Sequence, residues 1–120
     1  LAAFFGSADF AAVGLFDERY RALLKDIPVP PLVLICAGNL SALKDCCAAV
    51  VGARKCTTAG RTLANTVAME LAASGPTIVS GLAPGIDAAA HRGALSANGG
   101  RTVALLGRVL LTFSRASVVG

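Results

Sequence analysis

The sequence predicts an α/β protein in which a parallel sheet carries helices on both faces, preceded by a short helical lead-in. Hydrophobic residues make up 55% and charged residues 15% of the 120 residues, a composition too apolar for disorder and typical of one buried core. From Cys47 onward, short apolar runs alternate with amphipathic stretches. This alternation is typical of parallel strands joined by right-handed crossover helices.

Residues 1–30 are expected to form a helical lead-in and an extended linker. Between Asp9 and Lys25 the apolar residues recur at three- and four-residue steps, which predicts one or two short helices broken near Gly14. Prolines at positions 28, 30 and 31 keep the segment that follows extended.

Residues 31–107 are expected to form the core. The apolar runs Leu32–Ala37 and Cys47–Val51 predict strands, with a short helical stretch at Leu40–Lys44 between them. An i, i+4, i+8 spacing of apolar residues predicts a helix over Gly60–Ser74. The cycle then repeats, which predicts a strand at 77–80, a helix at 86–97 and a strand at 101–106.

The charge distribution favours a polyanionic partner. Residues 1–45 hold four basic and five acidic groups, whereas residues 46–120 hold seven basic and two acidic groups. The second part therefore carries a net charge of +5. A merely solubilising basic surface is the alternative interpretation of this asymmetry.

Several classes of protein are disfavoured. The longest uncharged stretch, Leu71–Ile86, is interrupted by glycine and proline, so no transmembrane helix is predicted, and the N-terminus lacks a basic region before its apolar start. We expect a cytoplasmic protein.

Four cysteines without CxxC spacing and a single histidine predict buried free thiols and no metal site.

Ligands of open parallel sheets bind beyond the carboxyl ends of the strands, which selects the loops at 51–60, at 80–87 and after 107. The first loop offers a phosphate the backbone amides at Gly52 and Gly60, the cations of Arg54 and Lys55 and the hydroxyl of Thr57. The alternative is that its glycines only allow close packing while its cations lie in solvent.

The second loop offers Ser80 at a strand end, and Gly81 and Gly85 allow the backbone to approach a ligand closely. Asp87 is expected to cap the following helix rather than to act in acid-base chemistry. His91 lies one turn later, where structural packing is favoured over catalysis.

Arg92, next to His91, is the candidate for a second phosphate contact. The sequence lacks GxxxxGK[ST], GxGxxG and any marked nucleophile, so no enzyme, cofactor or catalytic residue is predicted.

Three motifs, VGARKCTTAG, SGLAPGIDAAAHRGAL and GGRTVALLG, resemble in order and spacing the signature of the DNA-processing protein A (DprA/Smf) family. With the upstream segment DERYRALLKDIPVPPLVLICAGNL, the resemblance covers about residues 17–107. It implies a partial Rossmann-like domain and a protein that binds single-stranded DNA and loads the RecA recombinase during natural transformation and recombination, without turnover or cofactor. It places the DNA pocket on Gly52, Ala53, Arg54, Ser80, Gly81 and Gly85.

The chain departs from this family in three places. Ala53 replaces the usual serine, Pro84 stands where a basic residue is common, and residues 108–120 form a divergent tail. The resemblance therefore implies a truncated or fragmentary member, in which the family's homodimerisation and winged-helix region are not carried over.

An enzyme on a similar fold is the alternative to a DNA-binding protein. A nucleotide-processing hydrolase resembling the phosphoribohydrolases would use Asp87 and His91 as acid-base groups, although the PGGxGTxxE motif of that class is missing from the sequence.

Overall fold

A computed structural model of the protein describes residues 10–107. The chain divides between Lys44 and Asp45 into two compact units. The predicted tail at 108–120 and the loop after Gly107 lie outside the described residues. The predicted domain boundaries at residues 30 and 107 stay predictions.

The first unit is built on a two-stranded antiparallel sheet. Strand β1 (Phe10–Gly14) pairs with strand β2 (Val33–Ala37). Short 3-10 helices at Ala22–Asp26 and Leu40–Lys44 complete the unit. The Tyr20 hydroxyl donates to the carbonyl of Pro31 at 2.8 Å and holds the connecting segment against β2.

The predicted helical lead-in is wrong over its first part, because Phe10–Gly14 is a strand. Two alanines in this segment are compatible with a helix or a strand, and the apolar spacing alone favoured a helix. Pairing with a distant segment decides the outcome, since Val13 lies opposite Leu34 and is fully buried. Within the described part of the predicted range, helical structure is confined to the 3-10 helix at Ala22–Asp26.

The second unit is a three-stranded parallel sheet with two helices. Its strands β3 (Cys47–Ala49), β4 (Thr77–Ser80) and β5 (Thr102–Ala104) lie in the order β3-β4-β5. Helix α1 spans Thr58–Ala73 and helix α2 spans Ile86–Ser96. The predicted α/β class with a parallel sheet is therefore confirmed, and each of these elements begins and ends within two residues of its prediction.

Small side chains dominate the core of this unit. Ile78 on β4 is fully buried, and four alanines of the two helices pack around it: Ala68, Ala72, Ala90 and Ala94. Alanine allows the helix backbones to approach closely because it has no side chain beyond Cβ. The Asn65 side-chain amide on α1 accordingly reaches the Ala89 carbonyl on α2 at 3.3 Å.

The prediction of helices on both faces of the sheet is wrong for the two described helices. A direct hydrogen bond between α1 and α2 requires both to lie on the same side of the sheet. The strand order explains the arrangement, since two right-handed crossovers that step in one direction place both helices on one face. Apolar periodicity shows that a helix is buried but not on which face of the sheet it packs.

The amino ends of the strands are joined by an ion pair. Arg101 Nη1, just before β5, lies 2.6 Å from Asp45 Oδ2, just before β3. Thr77 Oγ1 at the start of β4 donates to the same carboxylate oxygen at 3.3 Å. These contacts bring all three strand beginnings together at the edge opposite the carboxyl-end loops.

We expect Gly93→Ala to destabilise the second unit by about 2 kcal/mol, because a Cβ there would overlap the Asn65 backbone across the helix contact. Urea denaturation followed by circular dichroism measures the free energy of unfolding. Arg92→Ala, on the exposed face of the same helix, is the control and should change stability by less than about 0.5 kcal/mol. An equal effect of both substitutions would contradict the close helix contact.

Candidate phosphate-binding site

The loops after β3 and β4 lie directly against each other. Gly85 has a φ of +89°, and a Cβ at this position would overlap the carbonyl oxygens of Ala53 and Arg54. The Ile86 amide donates to the Ala53 carbonyl at 3.3 Å. The predicted position of both loops at one edge of the sheet is therefore confirmed, and glycine is required at 85 for conformation as well as for space.

A buried carboxylate joins the same two loops. Asp87 is 8% exposed and accepts a hydrogen bond from the Gly52 amide at 3.4 Å. A Cβ on Gly81 would lie 2.6 Å from the other carboxylate oxygen of Asp87. The carboxylate thus lies between Gly52, in the loop after β3, and Gly81, the residue that follows β4.

The prediction that Asp87 caps α2 is wrong. The residue before the helix is Gly85, which makes no side-chain capping bond, and Asp87 lies in the first turn. From there its carboxylate reaches across to Gly52. Sequence reasoning missed this contact because it joins two loops 35 residues apart.

Two hydroxyl groups of the predicted site are bonded to the backbone. Thr57 caps α1, since its Oγ1 accepts from the Gly60 amide at 3.0 Å. Ser80 is buried, and its Oγ donates to the Val50 carbonyl at 2.6 Å. In this structure both side chains shape the loops, and the Gly60 amide is occupied.

The predicted cations are free of such internal contacts. Arg54 and Lys55 are exposed, and within residues 10–107 neither forms an ion pair or a side-chain hydrogen bond. Arg92 is also exposed, but it lies six residues into α2, roughly 9 Å along the helix axis from Ile86. The structure thus brings Arg54 and Lys55 to the loop contact, whereas Arg92 lies farther away on the helix.

His91 is fully buried and bonded through both ring nitrogens. Nε2 lies 2.6 Å from the Gly81 carbonyl oxygen, and Nδ1 lies 2.6 Å from Thr102 Oγ1. The expected packing role is therefore confirmed. Sequence reasoning missed Thr102 as its partner, since nothing in the local pattern links α2 to β5.

Other expectations concern metals, thiols and membranes. The described part of the chain contains no group of three His, Cys, Asp or Glu side chains placed to hold a metal ion. All four cysteines are free thiols, but the expected burial is wrong, because Cys46 is exposed and Cys36, Cys47 and Cys56 are only partly buried. Burial raises the pKa of the partly buried Cys36 thiol.

Neither helix in residues 10–107 has the length and apolar character needed to cross a membrane.

The contact of Gly85 with the first loop should contribute measurably to stability. We expect Gly85→Ala to lower the free energy of unfolding by about 2 kcal/mol more than Gly99→Ala. Gly99 is a matched control, because it also has a positive φ, +70°, yet a Cβ there meets nothing within 4 Å. Urea denaturation of both variants measures the difference, and equal losses would argue that the loops do not touch.

Comparisons with known proteins give the family. Residues 11–115 match the family model described as DNA recombination-mediator protein A. The DNA processing protein DprA of Streptococcus pneumoniae is 41% identical over 104 residues, which are 87% of this chain and 36% of that protein. The protein Smf of Synechocystis is 43% identical over 95 residues, covering 76% of this chain and 24% of that protein.

Solved structures agree with these sequence matches. The X-ray structure of DprA from Streptococcus pneumoniae has a TM-score of 0.79 at 39% identity, covering 91% of this chain and 38% of that one. A structure of Helicobacter pylori DprA, which describes its single-stranded DNA binding mode, has a TM-score of 0.66 at 26% identity, covering 82% of this chain and 42% of that one.

The chain spans about a third of the length of the Streptococcus pneumoniae relative that it matches. The family model, the sequence identities and the shared fold lead to one conclusion: the chain belongs to the DNA recombination-mediator protein A family, and its relatives include the DNA processing protein DprA of Streptococcus pneumoniae.

Proposed function

We propose that this chain binds the phosphate backbone of single-stranded DNA along one rim, formed by Gly52–Lys55 and Gly81–Gly85. The observation that carries the proposal is the direct contact of Gly85 with the backbone of Ala53 and Arg54. This contact brings the loop with the two exposed cations, Arg54 and Lys55, against the glycine-rich loop at Gly81–Gly85. A relative, the DNA processing protein A of Helicobacter pylori, is described as having a single-stranded DNA binding mode.

The charges around the rim are suited to an anion. Arg54 and Lys55 extend without internal partners in the described residues, so their charge is available to phosphate groups. The one acidic side chain of the two loops, Asp87, accepts a hydrogen bond from the Gly52 amide. The partial positive charge of the Gly52 N–H therefore offsets part of the negative charge of Asp87.

The predicted contacts divide into direct and supporting ones under this proposal. Arg54 and Lys55 contact phosphate, and Gly52, Ala53, Gly81 and Gly85 let the backbone approach it. Thr57, Gly60 and Ser80 hold the loops in shape through the bonds described above. Arg92 contacts a more distant phosphate of the same strand.

In the whole protein, the proposal extends to the wider role of the family. We infer a cytoplasmic mediator that processes DNA and loads RecA onto single strands during natural transformation and recombination. RecA and a second copy of the protein are the proposed partners. Because the chain covers 36% of its Streptococcus pneumoniae relative, these contacts involve more than the residues described.

Catalysis is not part of the proposal. The hydrolase alternative requires Asp87 and His91 as acid-base groups. However, Asp87 accepts a hydrogen bond from the Gly52 amide, and both ring nitrogens of His91 contact other groups of the protein. Release of free base from nucleoside monophosphates, lost on substitution of His91, would favour the hydrolase instead.

We expect Arg54→Gln to weaken binding of a fluorescent oligothymidylate about tenfold, because it removes one charge-assisted phosphate contact. The slope of log affinity against log salt should also become shallower by about 0.7. Fluorescence anisotropy at several salt concentrations measures both quantities.

Arg101→Gln is the matched control for charge. It removes the same positive charge at the opposite edge of the sheet, where Arg101 pairs with Asp45, and it should change affinity less than about twofold. Equal effects of the two substitutions would mean that DNA responds to the overall positive charge of the protein and not to a site at Arg54. Binding unaffected by salt and by Arg54→Gln would refute the proposal.

A further inference from the structure

The buried histidine, His91, contacts the glycine-rich turn from the side of α2. His91 on α2 is fully buried, and its Nε2 lies 2.6 Å from the carbonyl oxygen of Gly81, the first residue after β4. A carbonyl oxygen only accepts hydrogen bonds, so Nε2 carries a proton and donates it. The Gly81 carbonyl is therefore directed toward α2.

The other ring nitrogen is fixed by the neighbouring strand. Nδ1 lies 2.6 Å from Thr102 Oγ1, and the same hydroxyl lies 2.9 Å from the Ile78 carbonyl oxygen. In neutral imidazole the hydroxyl donates to Nδ1, and in imidazolium it accepts from Nδ1 and donates to Ile78. Both arrangements leave the Nε2 proton on the Gly81 carbonyl.

This bond also orients an amide. The described residues contain no cis peptide bond, and the C=O and N–H of a trans peptide point in opposite directions. With the Gly81 carbonyl held toward His91, the Leu82 N–H points away from α2. Within residues 10–107 the Leu82 N–H donates to no other group.

A reversed peptide would have the opposite effect on an anion. It would present the negative end of the carbonyl dipole at the turn and direct the Leu82 amide into the protein. Glycine at position 81 makes such a reversal sterically accessible, so the orientation depends on the histidine contact.

We propose that His91 is a positioning residue for phosphate: it holds the Gly81–Leu82 peptide so that the Leu82 amide is offered to the DNA backbone, and Thr102 holds His91. This inference rests on the proposed function, since it names a further donor of the same site. His91 itself does not touch DNA, because it is fully buried.

The test compares variants of the full 120-residue chain by anisotropy with a fluorescent oligothymidylate. His91→Leu removes the donor, and we expect about tenfold weaker binding, the loss of one hydrogen bond to a charged group. His91→Gln supplies an amide donor of similar reach and should restore affinity to within about threefold. Thr102→Val, which releases the ring, should fall between the two.

A control separates positioning from general stability. Ala94→Gly destabilises the same helix without touching Gly81, and its affinity should stay at the wild-type value. If His91→Leu binds as tightly as the wild type, or if Ala94→Gly weakens binding equally, the positioning role is wrong. Failure of the wild-type chain to bind would instead overturn the proposed function.

A second measurement does not depend on DNA or on a folded variant. Long-range 1H–15N NMR of the histidine ring in the wild-type protein reports which nitrogen is protonated. The inference requires a proton on Nε2. A neutral ring protonated at Nδ1 alone would overturn it, whatever the binding results.

Discussion

The candidate site depends on one contact, the approach of Gly85 to the backbone of Ala53 and Arg54. This approach requires a residue without Cβ at a φ of +89°, and it joins the loops that follow two neighbouring strands. The Ile86 amide and the Asp87 carboxylate then bond to the first loop through Ala53 and Gly52. Without this contact the cations of Arg54 and Lys55 would have no fixed relation to the glycine-rich turn.

The rest of the second unit supports this contact from two sides. At the opposite edge, Asp45, Thr77 and Arg101 bring the strand beginnings together. On the helix face, small residues bring α1 and α2 within hydrogen-bond distance. Because both helices begin at the carboxyl ends of parallel strands, the close packing of the helices also determines the spacing of the loops that lead into them.

The sequence predicted the second unit better than the first, for a physical reason. Helices α1 and α2 and strand β4 carry local signals, since their periodicity and glycine boundaries are visible within each segment. Strand β1 is determined by pairing with β2, a contact between distant residues that local spacing does not contain. The same limit explains the missed Asp87–Gly52 and His91–Thr102 contacts, which join segments 35 and 11 residues apart.

The most direct test of a shared phosphate site is a 1H–15N NMR titration of the protein with an oligothymidylate. The account predicts that the amide signals of Gly52–Lys55 and those of Gly81–Gly85 shift together, with a single apparent affinity. Shifts confined to one loop, or to residues away from both, would contradict it.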